Sequence, residues 1–140
     1  MIFILVATQA SIANHLIYAA VQDMGKQENI AGVEREEDEP LEIFISKLEG
    51  ALRQAVPDSR SCDGVLILTD LFGSTPTNAA LHQIEKNRSP MEVVTGANLP
   101  MLLSALANRH KLGLAELAKK ALLDGQRGIK NASDFKSFLK

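Results

Sequence analysis

Two short segments of this chain are apolar from end to end. Ile2 to Ala7 and Gly64 to Leu68 carry no polar side chain and are partly β-branched. A strand of that kind has to be covered on both faces. That occurs inside parallel sheets whose crossover connections carry helices. A chain built around two such strands is therefore confined to layered α/β architectures, provided that helical segments separate the strands.

The separating segments have helical spacing. Ile12, Leu16, Ala19 and Ala20 predict a helix from about Ser11 to Met24, with Gly25 as its stop. A weaker strand follows at Ile30 to Val33. Pro40 suits the first turn of the next helix, and the acids before it suit the positive end of the helix dipole. Leu41, Phe44, Ile45, Leu48 and Leu52 mark the buried face of that helix, and Pro57, Asp58 and Ser59 form a loop after it. Beyond Gly64 to Leu68, a helix is expected from Pro76 to Asn87, a fourth strand at Met91 to Thr95, and helices from Pro100 to about Arg109 and from Leu114 to Asp124. The tail from Gly125 onward fits no single reading.

Strands alternating with helices in this way make right-handed βαβ units. The expected fold is a doubly wound, mostly parallel α/β sheet in the order 2-1-3-4, with helices on both faces. Strands one and three then lie side by side, with connections diverging to opposite faces.

Composition narrows the function. The chain has 140 residues, which predicts a single domain over residues 1–140. Its net charge of -2 lacks the basic field of a nucleic-acid binder. One cysteine, Cys62, cannot form an internal disulfide; it fits a reducing, cytoplasmic setting and a buried small side chain. The apolar start, Met1 to Ala7, lacks a positive leader and is too short for a membrane span, so no membrane insertion is expected. His15, His82 and His110 share no metal-ligand spacing with each other or with Cys62, so no metal site is expected. The acidic run Glu34 to Glu39 reads as a solvated loop, or alternatively as a contact surface for a basic partner.

Ligands of doubly wound sheets bind beyond the carboxyl ends of the strands, where the connections diverge. That rule selects Ala7 to Ser11 after strand one and Thr69 to Pro76 after strand three. The second segment has the build of an anion cradle. Gly73 permits a tight backbone, Ser74 and Thr75 supply hydroxyls, Thr75 can cap the helix, and Pro76 takes its first position. Asp70, at the strand end, can orient a partner from residue 9. The same residues also suit a plain turn and helix cap. A flavodoxin-like binder is the weaker alternative: the loop after strand one has no glycine, and Tyr18 is the one tyrosine in a chain without tryptophan. A magnesium-dependent receiver domain lacks its acidic pair, since Thr8 and Gln9 stand there.

Two longer runs carry a family resemblance. Gly64-Val-Leu-Ile-Leu-Thr-Asp70 continues through Leu71-Phe-Gly-Ser-Thr-Pro76 to Thr77-Asn-Ala-Ala80. Val94-Thr-Gly-Ala-Asn-Leu-Pro-Met-Leu102 follows at the right distance, and Gly125-Gln-Arg-Gly-Ile129 comes later. Together they resemble the IIA components of the mannose-family sugar phosphotransferase system (PTS). The resemblance implies a cytosolic phosphocarrier without a bound cofactor. It would take a phosphoryl group from the general phosphocarrier protein, with phosphoenolpyruvate as the upstream donor, and pass it to a IIB component. It also implies a homodimer that exchanges a C-terminal, antiparallel fifth strand, here near Arg127 to Asn131. The family's phosphoacceptor histidine falls on Gln9, its orienting aspartate on Asp70, and its phosphoryl-holding hydroxyl on Thr75, with Gly73 and Ser74 beside it. A carboxamide is no match for imidazole as a nucleophile, because its nitrogen lone pair is delocalised into the carbonyl. Glutamine can still hydrogen-bond Asp70 and keep the resting geometry. Gln9 therefore points to a regulatory or partner-binding paralogue, or to a substitution trapping the unphosphorylated state. Ala10, where the family usually has glycine, favours natural drift.

Overall fold

A computed structural model describes residues 1–58 and 63–138 of the protein. Cys62 and Ser59 lie outside the described residues. The elements run β1 (Phe3–Gln9), α1 (Ile12–Met24), β2 (Ile30–Arg35), α2 (Leu41–Ala55), β3 (Val65–Thr69), α3 (Thr75–Lys86), β4 (Met91–Val94), α4 (Leu99–Asn108) and α5 (Leu114–Arg127), followed by a 3-10 helix, Ala132–Phe138. The four strands form one parallel sheet in the order β2-β1-β3-β4. This is the order expected from the alternation of strands and helices.

Strand β1 shows why the sheet needs two covers. Successive side chains of a strand point to opposite faces. Ile4 and Val6 pack with Leu66 and Leu68 against α1, α4 and α5. Phe3, Leu5 and Ala7 pack with Val65 and Ile67 against α2 and α3. The chain thus runs from β1 over one face to β2, and from β3 over the other face to β4. Its connections part between β1 and β3, at the carboxyl ends of both strands.

Helix starts differ from the sequence expectation by a residue, α3 and α4 beginning earlier and α2 later. Ser74, not Thr75, is the N-cap of α3, and its hydroxyl accepts from the Thr77 amide at 3.3 Å. Thr75 is already the first helical residue. Asn98 caps α4 in the same manner, accepting from the Met101 amide at 2.9 Å. Pro40 is the extended residue before α2 rather than a member of its first turn. Leu41, expected in the core, is 38% exposed, while Phe44, Leu48 and Leu52 are buried. Helix α5 continues past Asp124 to Arg127. Residues 128–131 follow as irregular chain, so no fifth strand forms there in the described chain.

Two polar contacts tie the helices and loops down. Arg109, 3% exposed at the end of α4, donates to the carbonyls of Glu28 and Asn29 and to Gln27 Oε1, so it holds the turn between α1 and β2. Burial pulls its pKa down, and its Nε has no partner among the described residues. Arg109→Ala removes several charge-assisted bonds at once, and is expected to cost about 2 kcal/mol in urea unfolding.

The second contact joins α4 to α5. The Ser104 hydroxyl donates to Asp124 Oδ2 at 2.6 Å, and Lys120 lies 3.1 Å from the same oxygen. The Ser104 hydrogen bond, then Lys120, hold the Asp124 carboxyl below its ordinary pKa of 3.8. A carboxyl with a lowered folded pKa stabilises above its unfolded pKa and loses that contribution as the pH falls through the folded value. Asp124→Asn is therefore expected to lower Tm at pH 7, and the gap to the parent to close as the pH is taken below about 4.

Candidate functional site

Parallel registers decide what meets where β1 ends. Ala7 lies opposite Thr69 of β3, and Gln9 lies opposite Arg35 of β2. The Gln9 amide N–H, two residues past the last β3 pairing, donates to Asp70 Oδ2 at 2.8 Å. Asp70 Oδ1 accepts from the Leu71 amide at 2.9 Å and from the Ser74 hydroxyl at 3.3 Å. One carboxylate thus joins the end of β1, the turn after β3 and the cap of α3.

A buried hydroxyl cluster supports that turn. Thr77, 2% exposed, donates its proton to the Leu71 carbonyl at 2.7 Å. Its single proton is then spent, so the fully buried Thr69 hydroxyl, 2.8 Å away, is the donor in their shared bond. On the other strand, the buried Thr8 hydroxyl accepts from the Ala13 amide at 2.8 Å. Thr8 therefore does the capping of α1 that the Ser11 side chain does not do.

The loop holds Gly73 at φ +84. The Thr75 N–H and hydroxyl have no hydrogen-bond partner among the described residues. The free donors and the hydroxyl stand at the start of α3, where the helix dipole favours negative charge. Leu71 and Phe72, 65% and 80% exposed, project from the same loop.

Gln9, Asp70 and Ser74 are brought together as expected, but one expected contact is absent. The Gln9 side chain does not bond Asp70; only its backbone does. Its Oε1 instead accepts from Arg35 Nη1 at 3.2 Å. Arg35 also donates from Nε to the Glu39 carbonyl at 2.8 Å. Of the acidic run, Glu36 to Asp38 form an exposed loop as expected, but its two ends do not. Glu34 and Arg35 belong to β2, and the Glu39 carboxylate, its side chain 10% exposed, pairs with Lys47 at 3.2 Å. The roles of Arg35, Thr8 and Thr77 are not evident from the motifs. The position of Arg35 at the end of a strand beside β1 is a matter of register, which one sequence does not display.

Ala10 takes φ +48 while its N–H bonds the Arg35 carbonyl at 2.9 Å. Left-handed backbone costs an L-residue about 1–2 kcal/mol, and glycine escapes it at some expense in chain entropy. Ala10→Gly is expected to raise stability by about 0.5–1 kcal/mol, read as an increase in Tm.

His15, one turn into α1, is exposed, and its Nδ1 bonds the Ser11 carbonyl at 2.8 Å. Among the described residues, no three histidine, cysteine, aspartate or glutamate side chains cluster to hold a metal ion. No helix among them is long and apolar enough to cross a membrane.

The fold is that of a doubly wound α/β protein with a polar cluster at its switch point. The family model for the PTS system fructose IIA component matches residues 3–122. The chain belongs to this PTS IIA family. It is 32% identical over 130 residues to the PTS system mannose-specific EIIAB component of Escherichia coli K12, an alignment covering 92% of this chain and 39% of that protein. It is 31% identical over 110 residues to the PTS system fructose-specific EIIA component of Bacillus subtilis, covering 79% of this chain and 72% of the relative. The chain thus spans well under half the length of the Escherichia coli relative. Among solved structures, the phosphotransferase system component EIIA from Streptococcus agalactiae superposes with a TM-score of 0.83 at 24% identity, covering 96% of this chain and 99% of that one. That likeness concerns the fold.

Proposed function

We propose that residues 1–140 act as a cytoplasmic PTS IIA domain that docks the general phosphocarrier protein and a IIB component but does not itself accept the phosphoryl group. The observation that carries this reading is the bond of 2.8 Å from the Gln9 N–H to Asp70, beside Thr75 donors that have no partner among the described residues. The frame of a phosphoryl-transfer site is assembled, while the side chain at the acceptor position has no nucleophilic lone pair.

In this reading Asp70 is the group that would orient an imidazole at position 9. Gly73, Ser74 and Thr75 would hold phosphoryl oxygens through amides and hydroxyls. Leu71 and Phe72 would give a docked partner its apolar contact, since exposed side chains of this size beside a polar site suit an interface. A homodimer is part of the same proposal, and it rests on family membership.

A regulatory role is favoured over an active carrier by a specific contact. Gln9 is engaged by Arg35, so the residue is built into the site rather than left idle in it. The experiment is incubation with phosphoenolpyruvate and the two general PTS proteins. The parent chain is expected to gain no acid-labile phosphoryl group, and Gln9→His to gain one. An acid-labile label on the parent would defeat the proposal. Failure of the Gln9→His variant to take label, with its fold intact, would mean that the rest of the site no longer supports transfer.

A further inference from the structure

We propose that Arg35 makes this site a non-covalent reader of phosphohistidine, so that the chain binds the phosphorylated general phosphocarrier protein in preference to its unphosphorylated form. The inference rests on the reading that this partner docks at the ends of β1 and β3. It adds what the replaced acceptor position does with the phosphoryl group that docking delivers.

The argument begins with the donors at the tip of residue 9. Arg35 ends β2 in register with Gln9. Its guanidinium is fixed by two bonds, from Nε to the Glu39 carbonyl at 2.8 Å and from Nη1 to Gln9 Oε1 at 3.2 Å. A guanidinium has five N–H groups, so three remain, and these have no partner among the described residues. Because Arg35 only donates, it also fixes the Gln9 carboxamide with oxygen toward the guanidinium. The Gln9 Nε2 group, another donor, has no partner among the described residues. Position 9 therefore carries five open N–H groups and a full positive charge, in a half-buried and prearranged setting.

A phosphoryl group is the complement of that arrangement. It offers three strong acceptor oxygens and negative charge, and a planar guanidinium meets two of those oxygens at once. Glutamine cannot take the group, so the P–N bond stays on the partner's histidine, and no bond forms or breaks. The acidic neighbours are mostly engaged elsewhere. Glu34 accepts from the Asn14 amide at 3.2 Å, Glu39 pairs with Lys47, and both Asp70 oxygens accept hydrogen bonds. Glu36 is exposed, where solvent screens it. Arg35 lines a cleft of about 540 Å³ together with Ala10, Glu34, Glu36 and Lys47, which gives a ligand room beside it.

The test is a calorimetric titration of the parent chain with the general phosphocarrier protein in two forms. One is unphosphorylated; the other is kept phosphorylated by the upstream enzyme and excess phosphoenolpyruvate. The phosphorylated form is expected to bind about tenfold or more tightly, from a close charge pair added to an existing interface. Arg35→Gln is expected to bring the phosphorylated form's affinity down to that of the unphosphorylated form, which stays unchanged. Arg35→Lys, which keeps the charge but loses the fork, is expected to retain part of the preference. Equal binding of both forms by the parent overturns the inference and leaves docking standing. A full preference surviving in a folded Arg35→Gln variant overturns the assignment to Arg35. No binding of either form removes docking itself, and the inference with it. Binding of inorganic phosphate alone at Arg35, without preference between the carrier forms, overturns the assignment to a phosphorylated partner.

Discussion

The Asp70 carboxylate joins parts of the chain that are far apart in sequence. One oxygen takes the Gln9 amide at the end of β1, and the other takes the Leu71 amide and the Ser74 hydroxyl. The end of a parallel strand leaves N–H groups without ladder partners, and a buried or half-buried donor has to be matched. Asp70 matches one across the switch point while also ordering its own turn. The local geometry of the site therefore depends on a contact made by backbone, and it does not require any particular side chain at position 9.

That independence explains how the site can keep its frame while its chemistry changes. An imidazole or a carboxamide can occupy position 9 without altering the backbone bond to Asp70. The side chain then answers to a different neighbour. In this protein the neighbour is Arg35, which is held in turn by the Glu39 carbonyl. Residue 9 thus stands between an acidic partner on the β3 side and a basic one on the β2 side. The Ala10 backbone, at φ +48, keeps the tight exit from β1 despite the Cβ.

Beneath the site, the sheet does what a two-faced sheet must. Alternate β1 side chains go into two separate cores, one under α1, α4 and α5 and one under α2 and α3. Several polar groups that enter these layers are paired. The Thr69 hydroxyl donates to that of Thr77, and the Thr8 hydroxyl accepts from the Ala13 amide. Arg109 closes the far end by gathering the turn before β2. Buried polar groups of this kind cost free energy unless they are matched, so each fixes one arrangement of the elements around it.

Much of this was legible in the sequence. The two continuous apolar runs required a sheet covered on both faces, the alternation with helices gave the parallel order, and the topology placed Gln9 and Asp70 at one crevice. Those conclusions come from periodicities of two and 3.6 residues, which a sequence carries openly. The start of α3 was displaced by one residue, because Ser74 and Thr75 both suit a cap and only the hydrogen bond to Thr77 selects Ser74. The partner of the Gln9 side chain was not legible at all. It depends on β2 lying beside β1 with Arg35 opposite Gln9, and on whether a flexible side chain finds more favourable bonding on one side of its strand than the other. Strand register and side-chain choice are set by contacts across the sheet, and only the tertiary structure decided them.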